Sequence, residues 1–236
     1  MNNTIQKLKI DEIQLEILNI LSKFPSDYFT VDKVLQLLKE SNYATVYRKV
    51  DSLVKQGILS KAMYGQASQI SINLRNEETI SLLSLIETKH LETFLTKLKG
   101  NLLISVREII KDTRNISELK CILVFGSYAK GTQTKNSDLD LLIIQEPSKI
   151  AIKHFSKEKL ENYIKEARSA IMGIIKTNEL RGGPKINPII ISNEDYKEMM
   201  QEKGVNVGRE ALSDHIIIKG FSEYWRVIAE CYQEEK

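Results

Sequence analysis

Apolar residues in the first quarter of the chain fall at helical spacing. Ile13, Leu15, Ile17, Leu18, Ile20 and Leu21 recur between Asp11 and Phe24, and Pro25-Ser26-Asp27 then stops the pattern, which predicts a first helix. Thr30 is a good N-cap for a second helix carrying Val31, Val34, Leu35, Leu37 and Leu38 as far as Ser41-Asn42. A third, from Ala44 to Gln56, places Val46, Val50, Leu53 and Val54 on one face and ends at Gly57, a natural C-cap. The period then changes. In ILSKAMYGQASQISINL, Ile70 and Ile72 alternate, which predicts two short strands joined around Tyr64-Gly65-Gln66.

Helical spacing returns at residues 77–98, through Leu82, Leu85, Ile86, Leu91, Leu95 and Leu98, and at 101–114, through Leu103, Val106, Ile109 and Ile110. An amphipathic linker of this kind must bury its stripe against a neighbouring domain or a second copy of itself, so a homodimer is one expectation. Two short, mainly apolar runs, Lys120–Phe125 and Leu139–Ile144, read as buried strands. A long helix from about Lys157 to Lys176, a break at Arg181-Gly182-Gly183-Pro184, a strand at Ile186–Ile191 and a helix N-capped by Ser192 follow. Tyr224 and Trp225 read as core or interface aromatics. The pattern divides the chain into an N-terminal segment 1–75, a helical linker 76–117 and an α/β segment 118–236.

Composition excludes several classes. At 236 residues the chain has room for two modest domains, and glycine and proline are too scarce for a fibrous or disordered protein. No segment reaches the ~18 uninterrupted apolar residues of a membrane helix, and MNNTIQKLKIDE lacks the apolar core of a signal peptide. The expectation is a cytoplasmic protein without a membrane partner. Cys121 and Cys231 stand far apart outside any CxxC motif, so reduced thiols are expected. His90, His154 and His215 lie singly and read as satisfied or exposed side chains. The net charge is only +3, but residues 1–75 hold ten Lys or Arg against seven Asp or Glu, so the whole excess lies in the N-terminal segment. That bias suits a polyanion without requiring one.

Three short helices followed by a hairpin are the order of a winged helix-turn-helix domain, and YATVYRKVDSLVKQGILSK resembles that family's recognition helix and first wing strand. The resemblance implies DNA as a partner, with Tyr43, Thr45, Tyr47, Arg48, Lys49, Lys55 and Lys61 as candidate contacts. The plainer alternative for the basic residues is a solvated face. Tyr43 and Tyr47 either meet sugar and phosphate or pack against the second helix.

The stretch VFGSYAKGTQTKNSDLDLLII, residues 124–144, carries chemistry. Gly126 lets backbone approach a ligand closely. Ser127 follows at the start of a short helix, where free N–H groups favour phosphate. Alternate residues of a strand share a face, so Asp138 and Asp140 point one way while Leu139 and Leu141 enter the packed layer. Paired carboxylates resist burial together unless cations neutralise them, and hard oxygen ligands select Mg²⁺ or Mn²⁺.

Gly126-Ser127, Gly131 and Ser137-Asp138-Leu139-Asp140 resemble the GS…G…SDxD signature of the DNA polymerase beta nucleotidyltransferase superfamily, nearest its minimal nucleotidyltransferase proteins. The resemblance covers about residues 118–192 and implies an α/β (α+β) nucleotidyltransferase domain with a mixed sheet, preceded by the winged helix-turn-helix domain and helical linker. It implies an enzyme that transfers a nucleoside monophosphate from a Mg²⁺-bound nucleoside triphosphate such as ATP to a hydroxyl. Gly126, Ser127, Lys130, Gly131 and Ser137 would then bind nucleotide, and Asp138 and Asp140 would be catalytic metal ligands. One departure matters. Where the family places a third carboxylate on a later strand, this chain reads KINPIII, with Asn187 at the position sought. An amide oxygen can ligate a metal, but it cannot act as a base. Glu146, Glu194 and Asp195 are the neighbouring candidates to replace it. Two alternatives therefore stay open: a transcription regulator with a degenerate nucleotide-binding domain, and an antitoxin-like transferase acting on a HEPN-type toxin partner.

Overall fold

The structure, a computed structural model, describes residues 10–40, 42–65 and 67–232, apart from the side chain of Lys149. Packing divides it into two units, one running to Ile86 and taking in the chain again from Ile228, the other spanning Glu87–Val227.

In the first unit, helix α1 (Glu12–Ser22) starts at a reciprocal cap in which Asp11 accepts from the Gln14 backbone N–H and the Gln14 side chain accepts from the Asp11 N–H. Helix α2 (Val31–Leu38) is capped by the Thr30 hydroxyl. Helix α3 (Tyr43–Lys55) is capped by Asn42, so it begins one residue earlier than its apolar spacing suggests. Strands β1 (Leu59–Tyr64) and β2 (Ala67–Ile72) pair antiparallel, and Phe29 adds a bridge to Ile70. Ile17, Leu18, Val34, Val46, Leu53, Ile58 and Ile70 are almost fully buried at the centre of the unit. Each stabilises the folded state by about 1.5–3 kcal/mol relative to exposure.

Helix α4 (Glu77–Lys97) has residues in each unit. The second unit continues with α5 (Gly100–Asp112), β3 (Leu119–Phe125), α6 (Gly126–Lys130), β4 (Leu139–Gln145), α7 (Lys149–His154), α8 (Lys157–Leu180), β5 (Ile186–Ser192), α9 (Asn193–Gln201), α10 (Val207–Ser213) and β6 (Ile216–Lys219). Helix α11 (Phe221–Cys231) follows, its last residues belonging to the first unit. The strands form a mixed sheet in the order β5-β4-β3-β6, with β4 parallel to β5 and the other two pairings antiparallel. The unit is thus α+β.

Nearly every residue of β3 and β4 is buried, as expected of central strands covered on both faces. Phe94, Val106, Ile109, Ile171 and Ile175, from α4, α5 and α8, pack with Ile122, Val124, Leu139, Leu141 and Ile143. Tyr196 and Tyr224 are fully buried, with ring centroids 6.4 Å apart, and Trp225 stacks edge-on to Tyr224. The aromatics near the C-terminus are therefore core.

Strand β6 is absent from the sequence reading because Ile216–Lys219 is too short to show a period. Its exit is tight. Gly220 has φ +76°, and a Cβ there would stand 2.0 Å from the Lys120 carbonyl oxygen, so only glycine can lead from β6 into α11.

His90 and His215 are partnered by one buried carboxylate. Glu87 lies 3.2 Å from His90 Nδ1 and 3.6 Å from His215 Nε2. The His215 Nδ1–H donates to the Ala211 carbonyl at 2.7 Å, leaving Nε2 to face Glu87. At 3.6 Å this is a close contact between ring and carboxylate, longer than a hydrogen bond. Burial pushes the Glu87 pKa up, but the two histidines outweigh it and hold the carboxyl at about 2.

Candidate active site

Strand β3 ends at Phe125, and the chain turns at Gly126, with φ +67°, into the single turn of α6. No side chain caps that turn. Gly131, with φ +71°, closes it by donating its N–H to the Ser127 carbonyl, which also accepts from Thr132 N–H at 2.9 Å. Alongside, Leu139 and Leu141 are fully buried while Asp138 and Asp140 are half-buried on the opposite face. The alternation predicted for this strand is present.

Register then decides what surrounds the carboxylates. Asp140 is opposite Phe125 on one side and opposite Asn187 on the other. A Cβ on residue 126 would stand 2.6 Å from Asp140 Oδ2, so the absence of a side chain at Gly126 is what lets the carboxylate lie against the turn. The other oxygen, Oδ1, accepts a hydrogen bond from Asn187 Nδ2 at 3.0 Å. Just before the two strands begin, Lys185 Nζ donates to Asp138 Oδ2 at 2.7 Å, and this carboxylate holds the lysine above its ordinary pKa.

The remaining nucleotide-site candidates are placed less simply. Lys130 is exposed at the end of α6 and paired to Glu210 at 2.6 Å, which raises its pKa. The Ser137 hydroxyl accepts from Thr134 N–H at 2.9 Å and so braces the loop before the carboxylates. Glu146, Glu194 and Asp195 are not near Asp140. Glu146 pairs with Lys120, Glu194 with Lys197, and Asp195 caps α9. All three lie at the Gln145/Ser192 end of β4 and β5, roughly 17–20 Å along the strands from Asp140 at about 3.3 Å per residue.

Among the described residues no group of three or more His, Cys, Asp or Glu side chains could hold a metal ion. The oxygens present nevertheless fit a hard divalent cation. Asp138 and Asp140, two residues apart, offer carboxylate oxygens, one of each accepting from Lys185 or Asn187, and the other oxygens of the pair, with phosphate oxygens and water, would supply the ligands. Because a carboxylate only accepts, Asn187 turns its amide nitrogen toward Asp140. Its oxygen can face a cation shared with Asp140 only after the amide rotates.

Residues 106–199 match the family model for a nucleotidyltransferase domain. The match runs from α5 to α9 and takes in the Gly126 turn, both aspartates, Lys185 and Asn187. Among curated proteins and among solved structures, nothing matches the chain. Over those residues the chain is similar to a nucleotidyltransferase domain, and the turn and carboxylates just described lie within the matched span.

Lys185, Glu210 and Tyr128 belong to this neighbourhood but escape a reading of the motif alone. For Lys185 a signal existed: once Asn187 is set opposite Asp140, the same parity puts Lys185 opposite Asp138. Glu210 sits eighty residues from Lys130 and had none.

In the first unit, Tyr43 and Tyr47 are half exposed on α3 and stacked on each other, with centroids 6.1 Å apart and planes at 25°. They line a groove together with Lys61 of β1. Thr45, Arg48 and Lys49 line a second groove next to Asp11. Lys49 is half-buried and paired with Asp11, whereas Arg48 stays exposed and donates to the Ala44 carbonyl at 3.2 Å. Lys55 lines neither groove and pairs with Asp51 at 2.7 Å. Among the described residues no helix is long and apolar enough to cross a membrane.

Proposed function

We propose that the chain transfers a nucleoside monophosphate from a nucleoside triphosphate to a hydroxyl acceptor. The observation that carries this reading is the seating of Asp140 against the side-chain-free Gly126, which brings one of the two carboxylates against the phosphate-approach turn. Gly126, Ser127 and Lys130 would receive the triphosphate, Gly131 and Ser137 would hold the turn and loop in shape, and Asp138 and Asp140 would hold Mg²⁺ or Mn²⁺. Bound there, the cation supplies charge neutralisation for the phosphates and polarises the α-phosphate. The acceptor oxygen bonds to the α-phosphorus, the α–β bridging P–O bond breaks, and pyrophosphate leaves with the electron pair. The hydroxyl proton goes to solvent water, because the Asn187 amide cannot take it. The test is pyrophosphate release from labelled triphosphates with Mg²⁺ or Mn²⁺. Activity lost in Asp138→Ala supports the reading, and no release together with no metal-dependent triphosphate binding overturns it.

A second reading has its own observation, the amide hydrogen bond from Asn187 to Asp140 where a third carboxylate would sit. Here the domain binds triphosphate without turning it over and regulates what the first unit does. The α1–α3 and β1–β2 order, the exposed Tyr43 and Tyr47 and the exposed Arg48 and Lys61 support a winged helix-turn-helix that binds DNA. Phosphate neutralisation releases counterions, so that binding would weaken steeply with salt, and no duplex bound at low salt would remove it. Triphosphate that shifts DNA affinity without pyrophosphate release would favour the regulator over the enzyme.

A further inference from the structure

Both carboxylates of the candidate site are met by donors from one short stretch of chain. Lys185 Nζ donates to Asp138 Oδ2 at 2.7 Å, and Asn187 Nδ2 donates to Asp140 Oδ1 at 3.0 Å. No hydrogen bond from a described residue reaches Asp138 Oδ1 or Asp140 Oδ2. Each aspartate thus has one oxygen engaged and one open. The lysine is placed there by backbone rather than by its own flexible stem. Its carbonyl accepts from the Leu139 N–H at 2.8 Å, which ties it beside the residue that follows Asp138. The next N–H, that of Ile186, donates to Glu179 Oε1 of α8 at 2.8 Å. Upstream, Gly183 is packed so closely that a Cβ would stand 2.5 Å from the Ser105 hydroxyl oxygen and 2.8 Å from the Asn178 carbonyl oxygen. Pro184, between the two, has its φ fixed by its ring. The base of the Lys185 side chain is therefore held next to Asp138, although the side chain itself is 75% exposed.

Ligand count and charge point the same way. A hard divalent ion of the Mg²⁺ type is held by one or two carboxylates, with phosphate oxygens and water completing its shell. The two open oxygens, one from each aspartate, meet that need once. A second ion would have to share Asp138 Oδ2 with the ammonium of Lys185, which would bring the two cations within about 5 Å of each other. Even at the dielectric of water, repulsion between a divalent ion and an ammonium at that separation weakens binding by more than about tenfold.

We propose that Lys185 is a fixed cation that limits the site to one divalent ion for each bound triphosphate. The proposal rests on the transferase reading above. Lys185 acts through Asp138, and its charge takes the part that a second metal ion would play at that carboxylate.

The experiment uses the full chain, Mn²⁺ and a mixture of the α,β-methylene analogues of the common ribonucleoside triphosphates, which cannot release pyrophosphate. Equilibrium dialysis gives the ratio of Mn²⁺ to analogue retained, after subtraction of what a double Asp138→Ala, Asp140→Ala variant retains. Electron paramagnetic resonance reports whether two Mn²⁺ ions lie about 3.5–4 Å apart, close enough to couple. Wild type and Lys185→Arg should retain one Mn²⁺ per analogue, with an uncoupled spectrum. Lys185→Met should retain two, coupled, the second ion binding at least about tenfold more tightly than any second ion in wild type. Two coupled ions in wild type, a ratio of one in Lys185→Met, or a ratio of two in Lys185→Arg overturns the proposal and leaves the transferase reading in place. The wild-type count decides the matter even where a variant fails to fold. No metal-dependent retention of analogue by wild type removes the transferase reading, and the proposal with it.

Discussion

Replacing Gly126 by alanine isolates the contact on which the candidate active site is built. The residue has φ +67°, a conformation that costs an L-residue about 1–2 kcal/mol. The new Cβ would also stand 2.6 Å from Asp140 Oδ2, against 3.4 Å or more for ordinary contact, so the carboxylate must retreat by nearly an ångström. It cannot do so freely, because Oδ1 is held by Asn187 at 3.0 Å. Breaking that half-exposed hydrogen bond adds about 1 kcal/mol, for a total of about 2–3 kcal/mol. Urea unfolding followed through the buried Trp225 measures the cost, and Mn²⁺-dependent binding of a non-hydrolysable triphosphate measures the loss of site geometry. The same substitution made in an Asp140→Ala background separates the two causes, since only the backbone contribution should remain there. An equal cost in both backgrounds, or wild-type binding by Gly126→Ala, would refute the argument that Gly126 is kept small by Asp140.

Asn187→Asp should lower the stability of the metal-free chain by about 1 kcal/mol, because two carboxylates then face each other across β4 and β5. It should also enlarge the rise in melting temperature on adding Mn²⁺, and an unchanged metal response in calorimetric melting would count against Asn187 lying at the metal. Glu87 has a folded pKa of about 2, below its ordinary 4.5, so its contribution is fully present above pH 4.5 and is lost as pH falls from there toward 2. Glu87→Gln should therefore cost at most about 3 kcal/mol near pH 6, with the gap to wild type closing by pH 2; a gap independent of pH would exclude the ionic contact with the two histidines. Gly220→Ala drives a Cβ to 2.0 Å from the Lys120 carbonyl oxygen and 2.9 Å from Cys121 Cα, both backbone. Nothing there can rotate aside, so a loss of more than about 3 kcal/mol is expected, and a soluble variant with wild-type melting would contradict the tight exit from β6.

What the sequence determined by itself is local. The Gly126 turn, the period-two placement of Asp138 and Asp140 around buried Leu139 and Leu141, the buried β3 and β4 runs and the caps at Thr30 and Ser192 all follow from residues a few positions apart, where backbone sterics and side-chain parity act without reference to the rest of the chain. Three apolar-stripe helices followed by a hairpin were legible for the same reason. The tertiary structure decided which of these pieces meet. Asn187 and Lys185 become partners of Asp140 and Asp138 only because β5 pairs parallel with β4 in one register, and a shift of one residue would turn both away. Glu210 reaches Lys130 because α10 packs against β3, and β6, too short to carry a pattern, exists because an edge of β3 remained to be covered. Contacts between residues tens of positions apart are fixed by the burial of whole faces, which no local spacing records.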